Sequence, residues 1–364
     1  MKTYAIHPIK KHGKTSWLNT HAPILRVIFA KRSDQWTTKC AERSERADSA
    51  QRREHAVKRP SAASLDYSDI DRLSKIKNKF RVRSGPIHTK SFLAHLVKGT
   101  DIRYPATAVI RNGVIEYTSE RAKQLYQSNA NGKYYLKIDG GCAGKGIELF
   151  RTPRDAHNHV IVIRSRKAHT YVLQESVDDL LLYEGTRKFE FRIWVLFHWA
   201  DTGTRSADGS TPSIDVYFYH DAVMRLSSVP YDAQSMKREG NITTSALYYG
   251  DSAYKSDLLS RQAYFNDVFP QAIASSQAVA RLLKAHIAPV GKNGFEIMGF
   301  DFLVTNDRRV VLIEINRNIG YYTWPKGIHA PHVNDLNIQM ISDLVDVAIA
   351  PIDKETGWRY KITL

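Results

Sequence analysis

Two carboxylates and an amide stand where they can converge in the stretch Gly299 to Asn316, GFDFLVTNDRRVVLIEIN. Apolar and polar residues alternate on both sides of a polar reversal at Asn306–Arg309, the pattern of a β-hairpin. Folded symmetrically about Asp307–Arg308, Val304 meets Val311 and Asp301 meets Glu314, with Asn316 on the face of Glu314, opposite Gly299. Directly opposed residues hold their Cβ atoms about 4.5–5.5 Å apart. Two buried carboxylates at that distance repel by roughly 4 kcal/mol at an effective dielectric of about 20, so a positive charge is expected between them. Hard oxygen ligands of this kind suit magnesium, with manganese as the alternative, usually together with substrate phosphates. The competing reading is a solvated hairpin with chance acidic residues. Against it, Glu314 interrupts the apolar run VVLIEIN.

A second constellation lies upstream, in KYYLKIDGGCAGKGIELF (133–150). It predicts a strand over Tyr134–Ile138 carrying Lys137, a loop with Gly140, Gly141, Gly144 and Gly146, and a strand resuming at Ile147–Phe150. Glycine loops cradle phosphates through backbone N–H groups, and flanking Lys137 and Lys145 add charge. No Ser or Thr follows Gly-Lys and a strand comes next, so this is neither a Walker A loop nor a dinucleotide fingerprint. A plain hairpin turn is the alternative. Farther on, RKFEFRIWVLFHW (187–199) predicts the longest strand, with Lys188, Glu190 and Arg192 on one face and Phe189, Phe191 and Ile193 on the other. That polar face is either a solvated sheet surface or a site for ribose hydroxyls and anions.

The elements that must position these groups follow from pattern. A short helix is predicted in TKSFLAHLVKG, ended by Gly99, and strands in YPATAVI (104–110), TYVLQESV (170–177) and residues 213–225, the last bent at His220–Asp221. Residues 69–80 and 263–288 have helical spacing, and the second should cover a sheet; a helix is predicted over 334–350. Residues 1–33 contain seven Lys/Arg and no acid, which gives either a basic folded lobe or an organelle-targeting segment. Residues 33–60 predict an exposed helix or linker.

The 364 residues suit two or three lobes around one site. No apolar run reaches the roughly 18–20 residues of a membrane span. The two cysteines, Cys40 and Cys142, cannot build a disulfide framework, so a reducing, cytoplasmic compartment is expected. A net charge of +16 implies an anionic partner. Residues 31–59 offer only Trp36 among their basic residues, so direct nucleic-acid readout is not expected.

The order lysine strand, glycine loop, Gln-Glu-x-Val, KFEFR, then GFDFLV with IEIN resembles ATP-grasp ligases, specifically the tubulin–tyrosine ligase-like family, over about residues 85–325. The resemblance implies an ATP-grasp fold of the α/β (α+β) class: two lobes with mainly antiparallel sheets clasping ATP, plus a small N-terminal lobe. It divides the chain into 1–84 (basic lobe and linker), 85–170 (central lobe), 171–350 (C-terminal lobe) and 351–364 (tail). Lys137 would contact ATP phosphate, with Gly141, Gly144, Lys145 and Gly146 over the phosphates and Lys90 as a further nucleotide-contacting lysine. Gln174, Glu175 and Val177 would meet the adenine, and Lys188 and Glu190 base and ribose. Thr243 would lie near the phosphates. Arg192 and Arg225 would hold phosphate and the acceptor carboxylate. Asp301, Glu314 and Asn316 would hold two magnesium ions.

The activity implied is ATP-dependent joining of a free amino acid to a carboxylate of an acidic peptide or protein tail, tubulin-like or otherwise, through an acylphosphate. Asn241 and Thr244 stand where the family more often has His and Asn, and Arg317–Gly320 replace a small-residue and proline segment. These departures border the acceptor side. They keep open an ATP-grasp ligase for an unrelated carboxylic acid. A separate alternative is a non-catalytic ATP-grasp scaffold within a larger assembly, with or without nucleic acid; the intact Lys137, Glu190, Arg192, Asp301, Glu314 and Asn316 argue against it.

Overall fold

The computed structural model describes residues 87–364 apart from 88, 142–143, 145, 164–169, 200–212, 244–255, 290–293, 318–330 and 350–354, and five short strands before residue 87. The predicted helix over 69–80 and most of the N-terminal lobe lie outside the described residues. Trp36–Lys39, expected in an exposed helix or linker, is instead a strand paired in parallel with Lys2–Ala5. Its Trp-Thr-Thr content favours extended backbone.

Two antiparallel sheets organise the rest. The smaller contains β1 (Thr107–Arg111), β2 (Val114–Tyr117), β3 (Tyr134–Ile138), β4 (Ile147–Phe150) and β5 (Thr170–Glu175), in the order β2-β1-β5-β3-β4. Asn112 and Gly113 close the β1–β2 hairpin, both at positive φ (53° and 82°). Helices α2 (Glu120–Ser128) and α3 (Pro153–Ile163) flank this sheet, and its core joins Ile110, Leu136 and Leu173 to Ala156 and Val160 of α3. Ser119 caps α2 by accepting from Ala122 N–H. The strand at 170–175 lies at the centre of this sheet, so the sheet extends beyond the 170/171 division drawn from sequence.

The larger sheet holds β6 (Leu182–Tyr183), β7 (Arg187–Trp199), β8 (Asp215–Leu226), β9 (Ser256–Leu258), β10 (Gly294–Val304), β11 (Val310–Asn316) and β12 (Trp358–Thr363). Its main path is β9-β8-β7-β10-β11, with β6 on β7 and β12 on β8. β12 makes the end of the expected tail a sheet strand, with apolar Trp358 buried against Tyr219. β7 spans the predicted residues, and β8 loses register opposite Trp194, at the predicted His220–Asp221 bend.

Helix α4 (Phe265–Leu283) covers the sheet as expected. Its buried residues Val268, Phe269, Ala272, Ile273, Ser276, Val279, Ala280 and Leu283 form one helical stripe. They meet Phe191, Ile193, Phe300 and Leu312 in the main core, at about 1.5–3 kcal/mol per fully buried large apolar side chain. The short helix α1 (Lys90–Leu96) also joins this core, through Leu93. Thr89 caps it, and Gly99, at φ 73°, ends the turn that follows. A last helix, α5, runs from Pro331 to Leu344. The two lobes with antiparallel sheets are the mixed architecture expected.

Candidate active site

The cleft lies between the two sheets. The alternation of β7 decides which groups reach it. Phe189, Phe191 and Ile193 are buried in the core, which turns Lys188, Glu190 and Arg192 to the other face. Register then sets a row of charge across three strands: Arg192 opposes Asp301, and Asp301 opposes Glu314. On the other side of β7, Glu190 opposes Arg225 of β8.

The hairpin bears out the Asp301–Glu314 and Gly299–Asn316 pairs, but not its turn end. Val304 pairs with Val310 rather than Val311, and one extra residue in β11, at Ile313, restores the expected register by Glu314. This bulge puts neighbouring Ile313 and Glu314 into the same cleft, which strict alternation forbids. The turn is closed by Arg308 N–H donating to the Thr305 carbonyl, with Arg308 at φ 58°.

The charge expected between the carboxylates is supplied by the protein itself. Arg192 donates Nε–H to Asp301 Oδ1 at 2.6 Å and Nη2–H to Oδ2 at 2.7 Å. Arg225 pairs with Asp301 Oδ2 and Glu190 Oε1, both at 2.8 Å. Asn316 Nδ2 donates to Asp301 Oδ2 at 3.0 Å. Burial alone would push the Asp301 carboxyl up, but Arg192 and Arg225 outweigh that and hold it below the usual range. Asp301 is 1% exposed and lies beneath the cleft rather than on its wall. Glu314 does line the cleft, 3.2 Å from Lys90 Nζ. Among the described residues, no three His, Cys, Asp or Glu side chains cluster in a metal-binding arrangement. Of the three ligands the resemblance implies for magnesium, Glu314 and Asn316 face the cleft. Asp301 Oδ2 meets Arg192, Arg225 and Asn316, while Oδ1 accepts from Arg192 Nε.

The opposite wall comes from the smaller sheet. Lys137 on β3 lies diagonally across from Gln174 on β5 and donates to its Oε1 at 2.6 Å. Lys188 donates to the Tyr135 hydroxyl at 3.0 Å. Both lysines thus have neutral partners, and burial pushes both down to about 8. Lys90 donates to the Gly141 carbonyl at 2.6 Å, tying the glycine loop to the Glu314 side. Gly144, Val177 and Thr243 complete the expected lining, whereas Gly141 and Gly146 stand back from it and Lys145 lies outside the described residues. Glu175 borders the cleft, but its carboxylate is held by both nitrogens of an Arg121 fork, at 2.7 and 2.9 Å, and its N–H by the Ala106 carbonyl.

Gly146 has a positive φ of 68°, and a Cβ there would lie 2.5 Å from Ile138 Cδ1. Gly146→Ala is expected to destabilise the β3–β4 hairpin by about 1 kcal/mol or more, read as a lower denaturant midpoint at unchanged slope.

Several lining residues were not anticipated: Pro105, Tyr135, Ile147, Ile242, Leu303 and Ile313. Most are apolar and suit the faces of a flat ring. Ile147 adjoins the glycine loop, a signal that could have found it; Ile313 depends on a bulge that leaves no mark in the sequence. Asn241, singled out only as a departure, is buried and satisfied. It accepts from Lys133 and Tyr135 and donates to the carbonyls of Ser235 and Lys237.

With this geometry in place, the match of residues 74–244 to the tubulin-tyrosine ligase family covers the smaller sheet, β7, β8 and Thr243. That match, over just under half of the chain, is a similarity to the family. Tubulin polyglutamylase TTLL11 of Homo sapiens is 26% identical over 247 residues, covering 59% of this chain and 32% of its own length. Tubulin glycylase 3B of Tetrahymena thermophila is 26% identical over 222 residues, 56% of this chain and 18% of its own. Tubulin polyglutamylase TTLL13 of Homo sapiens is 22% identical over 221 residues, 52% and 24% respectively. The chain spans a third or less of the length of these relatives. Among the described residues, no helix is long and apolar enough to cross a membrane, a statement that leaves β-barrels aside.

Proposed function

We propose that the cleft binds ATP and that the chain is an ATP-dependent carboxylate–amine ligase, joining an amino acid to a carboxylate of an acidic peptide or protein tail through an acylphosphate. The observation that carries this reading is the pair Lys137 and Lys188: two lysines in one cleft, each donating to a neutral partner and each depressed by burial. Phosphate oxygens beside Lys137 supply the counter-charge it lacks, and acceptors on the base or ribose give Lys188 a further hydrogen bond. Relatives named as tubulin polyglutamylase and tubulin glycylase support an acidic, tubulin-like acceptor, and a net charge of +16 suits one.

In this reading Lys137 takes phosphate oxygens beside the glycine loop. Gln174 and the backbone near Val177 orient the base, whose faces meet apolar Ile147, Leu303 and Ile313. Lys188 and Glu190 reach base and ribose. Arg192 and Arg225 lie on the acceptor side of the phosphates, positioned to hold a carboxylate in line. Magnesium held by Glu314 and Asn316 would supply Lewis-acid charge at the phosphates. No protein nucleophile is needed, because holding an amine, a carboxylate and a phosphate together provides much of the rate.

A second reading is nucleotide binding without turnover. It is favoured by the engagement of Asp301 with Arg192 and Arg225, which withdraws one expected metal ligand. The deciding experiment is ADP release with magnesium-ATP, an acidic tubulin-tail peptide and each amino acid in turn, with mass spectrometry of the peptide. Release dependent on one amino acid, with the matching mass gain, supports the ligase. ATP binding with no mass gain under any pairing favours the second reading.

A further inference from the structure

The segment 227–243 crosses from the large sheet to the small one, and its attachments are almost all cation to carbonyl. On the large-sheet side Arg187 donates to the carbonyls of Ser227 and Ser228, and Tyr231 N–H to that of Thr186. On the small-sheet side Lys133 donates to the Asp232 carbonyl and Arg151 to that of Gln234. Arg238, in a one-turn helix at Arg238–Asn241, reaches into the glycine hairpin. Its Nη2 donates to the Gly144 carbonyl at 2.7 Å and its Nη1 to the Ile147 carbonyl.

Three features set Arg238 apart from a structural brace. Its two carbonyl partners bracket the end of the glycine loop, and both residues line the cleft. Among the described residues no carboxylate pairs with it, and its buried Nε has no hydrogen-bond partner, so its charge is not cancelled locally. The same short helix ends in Asn241, which also lines the cleft, two residues before Thr243.

We propose that Arg238 is a positioning residue for the phosphate end of the cleft: its guanidinium fork fixes the Gly144 and Ile147 carbonyls and adds uncompensated positive charge behind them. It therefore serves the β- and γ-phosphates and not the base. Lysine cannot replace it, because one ammonium lacks the planar fork that spans two carbonyls. The inference rests on the nucleotide reading given above.

The test is competition of ATP, ADP and AMP against a fluorescent ATP analogue on the full chain, for the wild type, Arg238→Gln and Arg238→Lys. The expected result is a loss of about tenfold or more in ATP affinity in both variants, a smaller loss for ADP, and unchanged AMP affinity. Unchanged AMP affinity also certifies that each variant is folded. If the wild type binds no nucleotide, the nucleotide reading fails and the inference falls with it. If the wild type binds ATP and both variants match it, the inference alone is overturned. Equal loss for ATP and AMP, or full rescue by lysine, makes Arg238 a general brace and likewise overturns it.

Discussion

Lys137→Met is expected to raise the melting temperature of the free protein and to weaken ATP binding by about 1.5–3 kcal/mol, or roughly ten- to hundredfold. The opposite signs come from one cause. Lys137 is a half-buried cation whose hydrogen-bond partner is the neutral Gln174 amide. It feels Glu314 and Glu190 in its favour, and Lys90 and Lys188 against it, but burial dominates. Folding thus costs free energy to bury this charge, which an apolar chain of similar length avoids. ATP phosphates supply the missing counter-charge. Calorimetric titration and thermal unfolding of the same samples check both signs, and a variant that loses stability and keeps affinity would sink the assignment.

The pH dependence follows from the same residue and from Lys188. Both fall to about 8 in the folded chain against an ordinary value near 10.5. Between these limits the unfolded chain binds more protons than the folded one, so the free protein gains stability as pH rises above about 8. Near 10 the buried tyrosines reverse the trend, because burial pushes Tyr135 upward and the folded state then keeps its proton. ATP affinity runs the other way. It is full below about 8 and falls above it, by up to about tenfold per pH unit for each lysine whose proton the phosphate requires.

Much of this cleft was legible because its chemistry lies on regular strands. Period-two alternation assigned Lys188, Glu190 and Arg192 to one face of β7, and the polar reversal near Asp307 set Asp301 opposite Glu314. What remained hidden is non-local. The Arg192–Asp301 pair joins residues 109 apart in sequence, and it depends on β7 lying beside β10 in one register. Nothing within either strand states that register. The bulge at Ile313 is hidden for a different reason: it leaves an apolar residue in an apolar strand, indistinguishable by type from its neighbours.

Other elements carried signals that were present but unused. Asn112-Gly113 between alternating segments is a strong marker of a two-residue hairpin, and both residues adopt the left-handed backbone such a turn requires. Thr152-Pro153 with Asp155 marks a helix start: the Thr152 hydroxyl accepts from Asp155 N–H, and proline opens α3 where no intrahelical donor is needed. The alternation in WRYKIT marks β12.

Two residues that looked alike as metal ligands should separate on substitution. Asp301→Asn is expected to cost about 3–5 kcal/mol of stability, because it leaves Arg192 and part of Arg225 facing a neutral amide beneath the cleft. The side chains of Asp301, Arg192 and Arg225 are 2%, 16% and 15% exposed, so solvent makes up little of the lost charge. Glu314→Gln conserves volume at a side chain that is 29% exposed and pairs with Lys90, so its cost should stay within about 1 kcal/mol. Turnover should respond in the opposite order. The amide introduced by Glu314→Gln would present a poorer oxygen ligand directly to the cleft, and ADP release should fall to background in a well-folded protein. For Asp301→Asn, residual ADP release per folded molecule, read at low temperature beside a denaturant titration, should exceed that of Glu314→Gln. Equal stability losses would mean that the arginines do not depend on Asp301 for their charge balance. Full turnover in Glu314→Gln would remove the carboxylate that faces the phosphates from the mechanism, and leave the charge row across β7, β10 and β11 as a structural device alone.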